Sequence, residues 1–167
     1  MRIDEVSGVR MINKVALKKS LLTSLDQEID EALKAARQAQ ETAAHKDNQP
    51  ENQYDTLSLE AAYLAHGQSE RILKLQQERL LLEKWLVPEF DADAVIGTGA
   101  LVTLINEENM QRLIWITPCS SRLLDQQIQA VSSETPLAKR LTGLGVDDEV
   151  VLSLRQREEL WCVESIQ

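Results

Sequence analysis

Between Asn13 and Ala44 the apolar positions recur every three or four residues without a break: Leu22, Leu25, Ile29, Ala32, Ala36, Ala39 and Ala43. A 3-4 spacing held over about three heptads is the seam of a helix that packs on one partner. The segment has no Gly or Pro and is rich in Leu, Ala, Lys, Glu and Gln, which favour helix. At 1.5 Å per residue the predicted helix reaches roughly 45 Å. Its seam opens with bulky side chains and tapers to alanines, so its far end should be slim. His45 to Tyr54 then carries Asn, Gln and Pro50 and no aliphatic residue, which predicts a turn. A second helix is predicted from Asp55 to Leu86, with Asp55 or Thr56 as N-cap. Its seam is Ala61, Ala65, Ile72, Leu75, Leu82 and Leu86, interrupted by Gln68 and Arg79. Small residues again lie beside the turn and large ones at the far end. The two tapers match if the helices run antiparallel. No other segment of this length reads as helix, which favours a free-standing hairpin over a bundle.

Past Val87-Pro88-Glu89-Phe90-Asp91, which ends the helix and reads as a linker, the period switches to that of strands. Ala100–Ile105, Arg112–Thr117 and Ile128–Ser132 read as strands. Pro136–Leu141 reads as a short helix with Pro136 in its first turn and Gly143 past its end. Glu149–Leu154 and Leu160–Ile166 form a final strand pair. The predicted class is α+β: a long antiparallel coiled-coil hairpin over residues 1–88, its tip near 46–56, then a small antiparallel β domain with one helix over 89–167.

Composition narrows the partners. The net charge of −9 argues against a direct grip on duplex DNA, which needs Lys and Arg on phosphates. It leaves room for a partner that presents a basic surface. Cys119 and Cys162 are the only cysteines, which excludes a zinc ribbon. With no signal peptide or long apolar run, both are expected as reduced thiols in a cytoplasmic protein with no membrane contact. Three Trp, two Tyr and one Phe are too few for an aromatic-lined catalytic pocket. Trp115 and Trp161 are expected in the core, and Trp85 is expected to anchor a helix end. Lys14, Lys18 and Lys19 read as a basic cluster near the base of the hairpin, a solvated face or else a contact for an acidic surface or nucleic acid, and His45 and His66 read as surface residues flanking the tip. No Ser-His-Asp order, phosphate loop or Gly-rich nucleotide motif is present.

From Asp47 to Glu70 the chain carries five acidic residues (Asp47, Glu51, Asp55, Glu60, Glu70) and no Lys or Arg. Carboxylates at the end of a slim rod can be carried into a narrow channel, or they can simply keep a turn solvated. Mg²⁺ is a hard cation that keeps several waters, so one or two carboxylates suffice to help hold it. Tyr54 beside them can stack on a base or staple the turn to the second helix.

The run Val131-Ser-Ser-Glu-Thr-Pro-Leu-Ala-Lys-Arg-Leu-Thr-Gly-Leu-Gly-Val-Asp-Asp-Glu-Val150 resembles the signature of the Gre transcription elongation factors: a strand, Ser-Pro-x-Ala-x-Ala-Leu-x-Gly, then Val-Gly-Asp-x-Val. Thr135 stands for the usual Ser and Asp147 for the usual Gly. Gly97-Thr-Gly-Ala-Leu-Val-Thr-Leu104 resembles the strand that opens the same domain. The run Leu59–Ile72 sits where Gre factors have their second hairpin helix. The resemblance spans roughly Asn13 to Ile166 and implies an FKBP-like β domain. It also implies a hairpin that enters the secondary channel of bacterial RNA polymerase and stimulates cleavage of backtracked transcripts. The factor is then not an enzyme: it has no cofactor of its own, and its tip helps hold the polymerase's second Mg²⁺. Nucleic acid is met only through that complex, and a monomer is expected. The family's Gly-Asp-Leu-Ser-Glu-Asn turn fits in two registers. One places Asp47 and Glu51 on the acidic pair. The other places Glu51 and Tyr54 there, with Asp55 adjacent. Docking on the channel rim is assigned to Ser133, Pro136, Lys139 and Arg140. The altered tip leaves two alternatives open: a Gre-like regulator that occupies the channel without cleavage, and a coiled-coil scaffold with no polymerase contact.

Overall fold

A computed structural model describes residues 11–44, 56–91, 93–124, 126–154 and 157–167. Helix α1 spans Lys14–Ala44 and α2 spans Thr56–Lys84. Asn13 starts α1: its side-chain oxygen accepts the Ala16 N–H at 3.0 Å, satisfying one of the amides a helix start leaves orphaned. By its internal contacts the chain forms two units: Leu21–Lys84, and Trp85–Gln167 together with the described residues 11–20. This division differs from a single cut at residue 88, because the first turns of α1 are tied to the second unit by side-chain hydrogen bonds described below.

In the helical unit, Leu21, Leu25, Ile29 and Ala32 of α1 and Ile72, Leu75 and Leu82 of α2 are buried. Arg71 pairs with Glu28 at 3.0 Å and Arg79 with Asp26. Moving up α1 from 26 to 28 moves down α2 from 79 to 71, so the helices run antiparallel. The seam differs from the predicted one at two places. Leu21 is fully buried whereas Leu22 is half-buried, because the leucines here follow a four-residue step from Leu17 through Leu21 to Leu25. Leu86 is 88% exposed, because α2 ends at Lys84 and carries no turn on which Leu86 could face inward. Ala36, Ala39 and Ala65 are half-buried, and the side chains of Ala43 and Ala61 lie outside the described residues.

The other unit is one sheet of six strands: β1 (Leu101–Asn106), β2 (Gln111–Thr117), β3 (Arg122–Leu124), β4 (Ile128–Ser132), β5 (Glu149–Leu154) and β6 (Arg157–Ile166), with helix α3 (Pro136–Leu141) between β4 and β5. The strand order is β3-β4-β2-β1-β6-β5. β1 pairs antiparallel with β2 and with β6, with a bulge between Thr103 and Leu104. β4 runs parallel to β2, so the sheet is antiparallel except for this pair. The exception follows from β3, a three-residue strand the sequence reading did not resolve. Thr117 makes the turn that leads to it: its hydroxyl donates to the Ser120 carbonyl at 2.6 Å and accepts the Ser120 N–H at 3.0 Å. The chain then reverses twice and β4 returns in the direction of β2.

One face of the sheet carries Val102, Leu104, Ile114, Ile116, Val131, Val150, Leu152, Trp161 and Val163, packed with Ala138 and Leu141 of α3. These alternate positions satisfy the two-residue period of strands with one face toward a core. Trp115, fully buried, points to the other face, where Trp85 lies against it with ring centroids 5.6 Å apart. Both tryptophans expected in the core are there.

Candidate functional site

The predicted acidic tip, Asp47, Glu51, Tyr54 and Asp55, lies outside the described residues, as does His45. The structure therefore describes only the helices that flank it. His66 is exposed and its Nε2 stands 3.4 Å from Glu70, one turn on. Tyr63 and Leu64 are exposed at 69% and 63%, large apolar side chains in a stretch otherwise polar at the surface. Among the described residues no group of three His, Cys, Asp or Glu side chains is arranged to hold a metal ion. No described helix is long and apolar enough to cross a membrane.

The signature run is fully described and falls on β4, α3 and β5. Thr135 is the N-cap of α3: its hydroxyl oxygen accepts the Ala138 N–H at 3.2 Å and its hydroxyl donates to the Ser132 carbonyl at 2.8 Å. A Ser or Thr is what this position needs. Pro136 follows at the first helical position, where a missing N–H costs nothing. Gly143 closes the segment at φ +89°, and its N–H donates to the Ile96 carbonyl at 2.9 Å. Asp147 sits at φ +69°, a backbone conformation that glycine adopts at no steric cost. Asp147 thus keeps, at some strain, the conformation for which glycine is the easier residue. Its N–H donates to the Val163 carbonyl at 2.9 Å, and the Asp148 side chain accepts the Gly145 N–H at 2.7 Å.

Of the four residues assigned to docking, three have intrachain partners. The Ser133 hydroxyl donates to the Pro118 carbonyl at 3.3 Å. Lys139 pairs with Glu134 at 3.1 Å, both largely exposed. Arg140 donates to the Val151 carbonyl on β5 at 3.0 Å. Pro136, Lys139 and Arg140 are all exposed, so α3 presents a small cationic surface beside Glu134. The pairing role of Glu134 was missed by sequence reasoning, although its place five residues before Lys139, across the start of α3, is a signal of a kind.

The basic cluster is not simply a solvated face. Lys14 donates to the Pro88 carbonyl at 2.5 Å and the Gly99 carbonyl at 3.4 Å, and its ammonium lies 4.9 Å from the Phe90 ring centre. Lys18 donates to the Trp85 carbonyl at 2.7 Å. Burial pushes the Lys14 pKa below its usual value, against a smaller upward pull from Glu89. Nothing in the sequence marks backbone carbonyls as the targets of these lysines. A cavity of about 540 Å³ lies beside the first turns of α1, lined by Ile12, Leu17, Thr103, Leu113, Gln127 and Ser165 among others. Neither Cys119 nor Cys162 is in a disulfide, and burial with the carboxylates of Asp147 and Glu149 raises the Cys162 pKa.

No family model matches the chain, and no curated protein matches it significantly. Among solved structures, the chain is similar to GreA factor homolog 1 of Thermus thermophilus, with 20% identity and a TM-score of 0.40 over 87% of this chain and 94% of that one. It is similar to Thermus aquaticus Gfh1 with 18% identity and a TM-score of 0.41, over 89% and 95% of the two chains. It is similar to the prokaryotic transcription elongation factor GreA/GreB of Nitrosomonas europaea with 12% identity and a TM-score of 0.40, over 64% and 89%.

Proposed function

We propose that this chain is a divergent Gre-type factor that docks on bacterial RNA polymerase in the cytoplasm. In this reading the hairpin enters the secondary channel and its tip carboxylates, Asp47, Glu51 and Asp55, assist the polymerase's own Mg²⁺ in cleaving backtracked RNA. The β unit, through the exposed residues of α3, holds the factor at the rim. The observation that carries the reading is the signature run from Val131 to Val150. Its Thr135 cap, its Pro136 and its positive-φ residues at Gly143 and Asp147 meet the backbone needs of the Gre-type motif position by position. The antiparallel helix pair that precedes it supports the same reading. The chain would do no chemistry alone: its part is to deliver negative charge and position water at a site the polymerase owns.

The test is a stalled, backtracked elongation complex to which the protein is added. Shortening of the RNA 3′ end is expected, and Glu51→Ala with Asp55→Ala should abolish it while leaving binding to core polymerase intact. Binding without cleavage by the unmodified protein would replace this reading with a second one, a channel-occupying regulator. The motive for that alternative is specific, since no single register aligns both family carboxylates with acidic residues here without an insertion. Failure to bind core polymerase at all would leave a coiled-coil scaffold.

A further inference from the structure

Helix α2 is apolar on two opposite sides. At about 100° per residue, Ile72, Leu75 and Leu82 form its buried side. Leu73, Leu80 and Leu81 project roughly opposite, at 58%, 49% and 59% exposure, and Tyr63 continues their stripe. The described part of α1 in the same unit, from Leu21 on, exposes no large hydrophobic residue. The apolar outer stripe therefore belongs to α2 alone and is not a general property of the hairpin.

We propose that this outer stripe is a self-association surface on which α2 packs against α2 of a second copy, antiparallel, about a two-fold axis at Gln77. The charges along the stripe carry the choice of occupant. An axis at Gln77 sets Leu73 against Leu81 of the second copy, and Glu70 against its Lys84, twice over by symmetry. The aliphatic stem of Lys74 covers Leu80 of the other copy. A parallel pair would instead set Glu70 on Glu70 and Lys84 on Lys84. All of these side chains are exposed, so the surface is available. Six leucines, three from each copy, form a small interface, so the dimer is weak and depends on concentration. This surface uses residues 70–84, none of them in the predicted tip at 46–56, and does not depend on the polymerase reading. It replaces the expected monomer with a monomer–dimer equilibrium.

Sedimentation velocity of the full-length chain over about 1–200 µM, a range suited to a weak interface, should show monomer converting to dimer. Leu73→Asp with Leu81→Asp should weaken association at least about 100-fold, since each change acts twice in an isologous interface. Glu70→Lys alone and Lys84→Glu alone should each weaken it, and the double exchange should restore it. A Gln77→Cys variant in a Cys119→Ser, Cys162→Ser background should cross-link with a short bis-maleimide. A chain that stays monomeric throughout overturns the proposal, as does a dimer indifferent to the aspartates or uncrosslinked at 77. Should the aspartate variant lose its helix content, the charge exchange still decides: no restoration in the double variant refutes the antiparallel register.

Discussion

Gly99 joins several features of the sheet unit, and replacing it by alanine should be the most damaging glycine-to-alanine change among the described residues. Its φ is +102°, where an L-residue pays about 1–2 kcal/mol. A Cβ built there would overlap Cγ and Cδ of Pro88 and touch Trp85 at 3.4 Å. Forced overpacking of this kind costs about 1–3 kcal/mol more. The Gly99 carbonyl also accepts the Trp115 indole N–H at 3.3 Å and the Lys14 ammonium, so a backbone shift that relieved the overlap would loosen both. The expected loss is about 2–5 kcal/mol, a large part of the total for an ordinary domain. Two other glycines separate the contributions. Gly143 has φ +89° but nothing within 4 Å of an added Cβ, so Gly143→Ala should cost only the backbone strain, about 1–2 kcal/mol. Gly67 is exposed inside α2, with nothing near its Cβ position and no positive φ, so Gly67→Ala should stabilise the helix pair by about 0.5–1 kcal/mol. All three tryptophans belong to the sheet unit, so urea unfolding followed by fluorescence reports on Gly99 and Gly143, while ellipticity at the helix band reports on Gly67. A Gly99 variant no less stable than the Gly143 variant would refute the claim that the Pro88 ring closes that space.

Two further outcomes follow from packing and titration. Leu82→Ala empties a fully buried position between the helices and should cost about 2–5 kcal/mol by helix-band unfolding, whereas Leu81→Ala, on the outer side, should cost the folded monomer little. The Cys162 thiol has its pKa raised in the fold above the ordinary 9.0, so the folded state holds its proton more tightly than the unfolded chain. Its stabilising contribution is complete below pH 9.0 and is lost as pH rises from there through the folded value. Cys162→Ser should remove that alkaline decline from a stability–pH series.

Much of the architecture was legible because local and global preferences agree. The bounds of α3 follow from Thr135, Pro136 and Gly143, each of which has one natural place at a helix end. The first long helix follows from uninterrupted spacing, the second from a seam broken only at Gln68 and Arg79, and the strands from alternation between breakers. What was not legible has physical reasons. β3 is only three residues long and leaves no periodicity to detect, and without it the parallel pairing of β4 with β2 cannot be inferred. Leu86 carries the right spacing for the seam, but spacing says nothing of where the helix stops. Lys14 and Lys18 look like surface charge in sequence because their acceptors are carbonyls more than sixty residues away. The second apolar side of α2 also blurs its own signal, since two opposed stripes hide each other in a one-face pattern. The acidic tip was legible as charge alone: composition counts carboxylates, while their convergence depends on turn geometry.

The hydrogen bond from Arg140 to the Val151 carbonyl has a consequence for solubility. A sheet's outermost strands offer open amides and carbonyls that invite another chain to join and extend it. Here one border is a strand of three residues, too short to template growth. At the other, a guanidinium occupies a carbonyl of β5 that a newcomer would need, and acidic Glu149 opens that strand. Both margins of the sheet thus disfavour strand-by-strand growth.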